Sequence, residues 1–481
     1  MSAMISARRL ADALPPLDGP GPAYRLLYDA IRLLIVDGRI ADDTRLPSER
    51  ELAGALGVSR TTTTRVFAEL RDAGLLESRQ GSGSVVRLPL SESSASSLLG
   101  HTDDPDTVAL TYSAPIGPPG LARAFERAAE RLPGLLTTTG YLPDGLPALR
   151  EVLAQRYTDA GLATDPDQII VTNGAMGAIS LVARTLLSSG QRVLTEGVSY
   201  PHGTDAFVAA GGRLAPLPVG DTPWDVEHVM SALANSRHRA AYFITDFHNP
   251  TAQIMSDETR SVLATAFRRH DVVAVIDESL RDINLDGVAL PEHFAVHDPG
   301  AVLLGSSSKG FWGGLRVGWI RAPRALVMPI VQARMMDDLG TSAFDQVVLT
   351  ELLTDGGQTA AAGRARSRAA RDHLLGELAR EIPDIIAPCP PGGLNLWVTL
   401  PERMSSRVVS TASRRGLLLT PGPRFFTQAH TAGERHLRLP YTLPHDRLTD
   451  AVRLLKASIE DVQSGRERPS ESPDDRLDLI A

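Results

Sequence analysis

Of the 49 basic residues in this 481-residue chain, 47 are arginine and only two, Lys309 and Lys456, are lysine. A chain that supplies its cations as arginine has a reason to keep a lysine. A lysine amine can lose its proton and form an imine with an aldehyde; a guanidinium stays protonated to a pH above about 12 and does not. Lys309 ends the apolar run AVLLGSSSK, and Arg316 follows within GFWGGLRVGW. A second cation nearby lowers an amine's pKa and aids attack. The plain alternative, a surface lysine, fits poorly here. Lys456 lies in the helical segment DAVRLLKASI and is its one rival.

Four other sites share the setting of Lys309, each at the carboxyl end of a short apolar run. After QIIV comes Thr172-Asn173-Gly174-Ala175-Met176-Gly177 at the start of a helical pattern. Gly174, Ala175 and Met176 leave backbone N–H groups free where the helix dipole favours an anion such as phosphate, though glycine at such a turn is often structural. After RVL comes TEGVSYPHG, in which Tyr200 either covers a planar ring or packs. After AAYFIT comes DFHNPTA; Asn249, held extended by the following proline, either donates to a phenolate oxygen or belongs to a plain turn. After VVAVI comes Asp277, a carboxylate that needs a partner if buried, either a pyridinium N–H or an arginine. Phosphate cradle, ring cover, oxygen donor, ring-nitrogen carboxylate and imine lysine are together the requirements of pyridoxal 5′-phosphate.

The elements that must position these residues follow from the pattern. QIIVTNG, RVLTEG, AAYFITD, VVAVIDES and AVLLGSSSK are apolar on both faces, as buried and mostly parallel strands are. Helical stretches such as MGAISLVARTLL and TRSVLATAFRRH separate them. This predicts a doubly wound α/β domain, in which ligands bind beyond the carboxyl ends of the strands.

The N-terminal part reads differently. AYRLLYDAIRLLIVDG is an amphipathic helix. In LPSERELAGALG, Ser48 and Glu51 form a capping box and Gly57 is the stop. SRTTTTRVFAELRDAG then starts on Ser59 and stops at Gly74, with Val66, Phe67 and Leu70 on its buried face. LLESRQGSGSVVRL reads as strand, glycine turn, strand. Three helices and a wing in this order predict a winged helix-turn-helix that places Arg60, Thr61, Thr62 and Thr64 at a major groove. The alternative is a small helical domain with solvated arginines. From Met1 to Leu88 the charge is +1, against −9 for the remainder of a chain of net charge −8, a mild asymmetry.

Composition closes off other classes. Cys389 is the only cysteine, which excludes intrachain disulfides and cysteine-cluster metal sites, and no metal is expected. No apolar stretch nears the roughly 20 residues of a membrane span, and residues 1–18 lack a signal-peptide core. A cytoplasmic protein is expected. The organisation reads as a DNA-binding domain over 1–88, a Ser/Asp/Pro-rich linker over 89–107, an α/β domain over 108–463 and a polar, disordered tail over 464–481.

The stretch from Gly38 to Val86 resembles the GntR-type winged helix-turn-helix. That resemblance implies contacts to double-stranded operator DNA from Arg50, Arg60, Thr61, Thr62 and the turn Gly81-Ser82-Gly83. Some relatives carry arginine at the position of Thr64. Residues 108–463 resemble fold-type I aminotransferases with a small C-terminal α+β domain. YLPDGLPALREVLAQRY looks like their N-terminal segment, where Tyr141 would serve the phosphate of a neighbouring subunit. SSSKGFWGGLRVGW looks like their lysine motif, with Ser306 and Arg316 near the phosphate. Arg438, in RHLRLPYTLP, matches the arginine that binds a substrate carboxylate. One departure stands out: Leu280 occupies a position that often holds a tyrosine donating to the phenolate oxygen, which bears on transamination more than on cofactor binding. The role of Glu278 is open.

A GntR-type reader fused to an aminotransferase-like domain resembles the MocR subfamily of bacterial transcriptional regulators. The resemblance implies a homodimer with cofactor sites at its interface. It also implies that an amine, an amino acid or pyridoxal 5′-phosphate itself acts as effector through an imine at Lys309. The expectation is a regulator rather than an enzyme. A working aminotransferase with an accessory DNA module, and a regulator whose pocket is only a rigid scaffold, are the alternatives.

Overall fold

The computed structural model describes residues 4–14, 22–36, 40, 44–79, 83–86, 107–428 and 431–466. The expected linker therefore lies outside the described residues except for Thr107, and so does the expected tail beyond residue 466. Ser464 closes the final helix, its amide donating to the Glu460 carbonyl at 3.0 Å. The chain divides into two compact units, Met1–Ala95 with Gly117–Glu126, and Ser96–Ile116 with Arg127–Ala481. No helix among the described residues is long and apolar enough to cross a membrane.

In the N-terminal unit four helices precede a two-stranded wing: α1 (Ala7–Ala13), α2 (Ala23–Val36), α3 (Glu49–Leu56), α4 (Arg60–Asp72), β1 (Leu76–Arg79) and β2 (Gly83–Val86). The capping box forms as spaced. The Ser48 amide donates to the Glu51 carboxylate at 2.9 Å and the Glu51 amide to Ser48 Oγ at 3.3 Å, and Gly57 ends α3 at φ +66°. Such a cap contributes about 1 kcal/mol. Ser59 caps α4 by accepting from the Thr62 amide at 3.1 Å. Leu27, Ile31, Leu52, Val66, Phe67, Leu70 and Val86 close one core. Leu10 of α1 joins that core, and this helix was not expected; only the Ser6 cap signals its start.

The larger unit is built on a seven-stranded sheet. The five expected runs form β4 (Ile169–Thr172), β5 (Arg192–Thr195), β7 (Ala240–Phe243), β8 (Val273–Asp277) and β9 (Val302–Ser306), after a short β3 (Val108–Ala109). Two unlisted strands complete it, β6 (Arg213–Pro216) and β10 (Gly318–Arg321). The order is β4-β10-β9-β8-β7-β5-β6. Strands β5 to β9 pair in parallel, while β10 runs antiparallel to both β4 and β9. Every residue of β4, β7, β9 and β10 is buried, which explains the apolar runs of the first three; β10 ends on the buried Arg321.

Gly318 is demanded by packing. A Cβ there would lie 2.4 Å from the Gly174 carbonyl carbon and 2.7 Å from the Ala175 nitrogen, so the helix Gly174–Leu186 rests its first turn directly on β10. A second, smaller sheet, β11 (Asn395–Thr399), β14 (His436–Pro440) and β13 (Thr420–Pro421), is antiparallel, and β12 (Leu417–Leu418) pairs in parallel with β3. The helices Gln358–Glu381, Ser405–Ser413 and His445–Gln463 pack on it through Leu374, Leu378, Val408, Leu448 and Leu455.

Candidate functional site

A cavity of about 400 Å³ opens at the carboxyl ends of the strands. Its wall holds Ala175, Met176, Tyr200, Asn249, Asp277, Ser306, Lys309 and Arg316, eight of the ten residues singled out for a cofactor, together with Leu280. Gly174 adjoins it: at φ +72° it adopts a conformation that glycine tolerates, and a Cβ would lie 2.6 Å from an Arg316 guanidinium nitrogen. Tyr141 stands apart, 65% exposed and outside the wall of its own chain. Its expected role concerns a second copy.

Lys309 rides on the one-turn helix Ser307–Gly310, in the connection between β9 and β10. Its Nζ donates to the Ser113 carbonyl at 2.9 Å. Its pKa is lowered to about 8, first by burial and then by Arg438, with Arg316 a weaker contributor and Asp277 opposing. The cation expected to do this from sequence, Arg316, is thus secondary to burial and to Arg438. Arg316 itself takes a left-handed conformation at φ +51° and donates to the Asn173 carbonyl at 3.4 Å.

Asp277 ends β8 and is 5% exposed. Among the described residues no arginine pairs with it. Tyr242 Oη donates to one carboxylate oxygen at 3.0 Å and the Ser279 amide to the other at 2.9 Å. Burial raises its pKa against these bonds. Glu278, the next residue, faces away to His293, whose Nδ1 lies 2.8 Å from its carboxylate, beside a separate cavity of about 280 Å³. It takes no part in the first site.

Ser306 Oγ is occupied in capping the Lys309 turn, accepting from the Ser308 amide at 3.2 Å. Ser308 also lines the cavity, and its buried Oγ has no partner. Buried Oδ1 of Asn249, which precedes a cis proline, is also without one. Tyr200 is pushed up to about 12 by burial and feels both Arg438 and Asp277.

Arg438, on β14, is 0% exposed. One Nη donates to the Thr111 carbonyl, while Nε and the other Nη are buried without a partner among the described residues. The Phe425 ring lies 4.9 Å from the guanidinium carbon. Burial pulls its pKa down to about 10. A buried guanidinium with open donors is costly unless an anion completes it.

Sequence reasoning missed Tyr242, Ser308 and Tyr112, which also lines the cavity. Tyr242 reads as one more apolar strand position. Ser308 could have been found from the triple serine before Lys309.

In the N-terminal unit Arg50, Arg60 and Thr61 are exposed and Thr62 is half-buried at the start of α4. The Ser59 hydroxyl lies 2.8 Å from both Thr61 Oγ1 and Thr62 Oγ1, which fixes the two side chains. Thr64 is not a free donor, since its hydroxyl donates to Glu49 at 2.6 Å. Gly83 takes φ +84°. Gly81 and Ser82 of the expected wing contact lie outside the described residues.

The family described as aminotransferase class I and II matches residues 123–455, and that of bacterial regulatory proteins of the gntR family matches 23–86. The chain is 28% identical to the HTH-type transcriptional regulator YisV of Bacillus subtilis, covering 83% of this chain and 89% of that one. It is 30% identical to a 2-aminoadipate transaminase of Thermus thermophilus, covering 70% and 86%. It is 29% identical to the probable rhizopine catabolism regulatory protein MocR of Rhizobium meliloti, covering 64% and 67%. Among solved structures, the alpha-aminoadipate aminotransferase LysN of Thermus thermophilus, complexed with N-(5′-phosphopyridoxyl)-L-leucine, superposes with a TM-score of 0.67 at 27% identity, covering 75% of this chain and 94% of that one.

Fold and family imply pyridoxal 5′-phosphate as the cofactor. The residues fit it: the helix start at Gly174–Met176 with Arg316 suits a phosphate, and the unpartnered Ser308 Oγ and Asn249 Oδ1 leave polar groups for a ligand to satisfy. The chain belongs to the class I and II aminotransferase family and carries a gntR-type reader at its N-terminus, the architecture of the MocR-type transcriptional regulators.

Proposed function

We propose that the protein is a transcriptional regulator that binds operator DNA through residues 1–88 and senses a carboxylated amine in the cavity of residues 108–463. The observation that carries this reading is Arg438, a fully buried guanidinium with two open nitrogens, electrostatically coupled to the one lysine in the cavity. An amine that also bears a carboxylate meets both needs at once.

When bound, the cofactor supplies an aldehyde that a primary amine can join. The chain's residues divide the remaining work. Gly174, Ala175, Met176, Ser306 and Arg316 would hold the phosphate, and Tyr200 would cover the ring. Asp277, kept in place by Tyr242 and the Ser279 amide, would pair with the ring nitrogen. Asn249 serves the ring oxygen alone, because Leu280 offers no hydroxyl there. Lys309, with its pKa near 8, keeps a deprotonated fraction at neutral pH. Arg438 receives the effector carboxylate.

Arg50, Arg60, Thr61, Thr62 and the Gly81-Ser82-Gly83 turn meet the DNA. The protein acts in the cytoplasm as a homodimer, and Tyr141 serves the phosphate site of the second copy. The test is one preparation assayed three ways: selection of bound sequences from random duplex DNA, absorbance of the cofactor during titration with amino acids, and multiple-turnover transamination. A selected operator whose affinity shifts with one carboxylated amine is the expected result. Steady turnover with several amino donors and no selected DNA would establish instead the working aminotransferase, the reading favoured by the 30% identity to a transaminase.

A further inference from the structure

The two cations that await a ligand are both held by one short piece of backbone. Lys309 Nζ donates to the carbonyl of Ser113, and Arg438 donates to the carbonyl of Thr111. Between them Thr442 Oγ1 donates to the carbonyl of Tyr112 at 3.2 Å, and Tyr112 lines the cavity. Three successive carbonyls thus accept from Arg438, Thr442 and Lys309, of which Lys309 lines the cavity wall. Among the described residues the hydroxyls of Thr111 and Ser113 are buried without partners, so none of these residues holds the segment through those two side chains.

Upstream it is tied to the small sheet. The Val108 amide donates to the Gly416 carbonyl at 2.7 Å and the Leu110 amide to the Leu418 carbonyl at 2.9 Å. Residue 107 is also the last of the stretch expected from sequence to tether the N-terminal unit.

A backbone carbonyl is a neutral, single acceptor. A carboxylate brings full charge and two oxygens to a guanidinium and makes the stronger bond. We propose that Thr111–Ser113 is a built-in competitor: its carbonyls hold the lysine that the cofactor takes and the arginine that the effector carboxylate takes, and ligand binding releases the segment just after the stretch that leads from the DNA-binding unit. This rests on the reading of Lys309 and Arg438 given above. A carboxylate at Arg438 displaces the Thr111 carbonyl. Capture of the Lys309 nitrogen by the cofactor's aldehyde, with loss of water, removes the donor to Ser113; an effector amine that takes the aldehyde returns that donor, so the effector acts on the segment through Arg438. Both part-buried carbonyls then lose these donors, and an unpaired carbonyl moves to find water. The segment follows the expected tether by four residues and carries Tyr112 of the cavity wall, so one short stretch of chain joins the two.

The test is hydrogen–deuterium exchange on the full chain, read on peptides spanning 107–116, with three probes: pyridoxal 5′-phosphate, maleate (a dicarboxylate that has no amine), and the two together. Exchange is expected to quicken with each probe, most with both, by on the order of tenfold at the Val108 and Leu110 amides. Cofactor colour that depends on Lys309, with exchange over 107–116 unchanged or slowed, overturns the competitor while leaving the sensing cavity intact. No colour and no maleate binding by calorimetry overturns both. A second variant avoids the cavity cations. Thr442→Val removes the donor to Tyr112 and weakens the competitor, so maleate should bind several-fold more tightly than to wild type. Unchanged maleate affinity in that variant also counts against the proposal.

Discussion

The two candidate sites of this molecule present their cations in opposite ways. At the start of α4 Arg60 is exposed and the threonines beside it are pinned by the Ser59 hydroxyl, so the donors stand ready on a rigid surface. In the large unit Lys309 and Arg438 are taken out of water, lowered in pKa, and left with a single carbonyl each. A polymer of phosphates is met on the surface, where each contact is modest and salt-sensitive. A small ligand is met in a pocket, where unmet polar groups make one encounter decisive. Arginine thus serves both ends of this protein, while of its two lysines Lys309 is the buried one with a lowered pKa and Lys456 pairs with Glu381 in a part-exposed setting.

The largest effect belongs to Lys309. Lys309→Ala, and equally Lys309→Arg, should abolish borohydride-fixed cofactor, measured by mass spectrometry of the intact chain. Fixation surviving at Lys456 would erase the distinction.

Next comes the Lys309 charge itself. Between about pH 8 and 10.5 the folded chain holds fewer protons on this group than the unfolded chain, so its contribution makes stability rise with pH across that window. Below pH 8 the buried charge costs about 3 kcal/mol, taking roughly 1.4 kcal/mol per pKa unit. Lys309→Met, compared with wild type by urea unfolding without cofactor, should gain stability at pH 7 and lose that advantage by pH 10.5. A gap that does not change with pH would mean the amine is not desolvated.

Arg438→Leu should weaken maleate binding by about tenfold to a hundredfold, in line with a charge-assisted bond of roughly 1.5–3 kcal/mol. It should cost little stability, because two guanidinium nitrogens are already without partners. Arg60→Ala is the surface counterpart. It should lower operator affinity by about five- to tenfold or more, consistent with roughly 1–3 kcal/mol for a base contact, and leave the melting temperature unchanged. If Arg438→Leu unfolds the chain or Arg60→Ala leaves DNA binding intact, the buried-versus-exposed contrast fails on that side.

The smallest effect is expected from Ser59→Ala. It removes a cap worth about 1 kcal/mol and frees the hydroxyls of Thr61 and Thr62, so unfolding midpoints should fall slightly and operator affinity with them.

How far the molecule was legible follows the same division. The caps of α3 and α4 were readable because they are local: Ser48, Glu51, Gly57 and Ser59 act within one turn. Five strands were readable because β4, β5, β7, β8 and β9 are apolar runs. In contrast, β6 begins on Arg213 and ends on Pro216, and β10 hides inside the lysine motif. The chain order of Gly174, Tyr200, Asn249, Asp277 and Lys309 pointed to one cavity, since each follows its own strand. The partners that tune them were not readable. Tyr242 looks like its apolar neighbours until the fold sets it beside Asp277. Arg438 comes from a different sheet, so no spacing in sequence could rank it above Arg316 as the cation lowering Lys309. The carbonyls of Thr111 and Ser113 carry no side-chain signature at all.

One feature of the sheet has a mechanical meaning. Lys309 and Arg316 lie in the single connection between β9 and β10, and those strands are clamped in register with Ser306 opposite Gly318. The two side chains therefore travel as one piece, an anvil set in the large sheet. Arg438 belongs to β14 of the small sheet. A molecule gripped at both places is a caliper: its length sets the gap between the two sheets, and molecules of different length leave the two sheets at different separations.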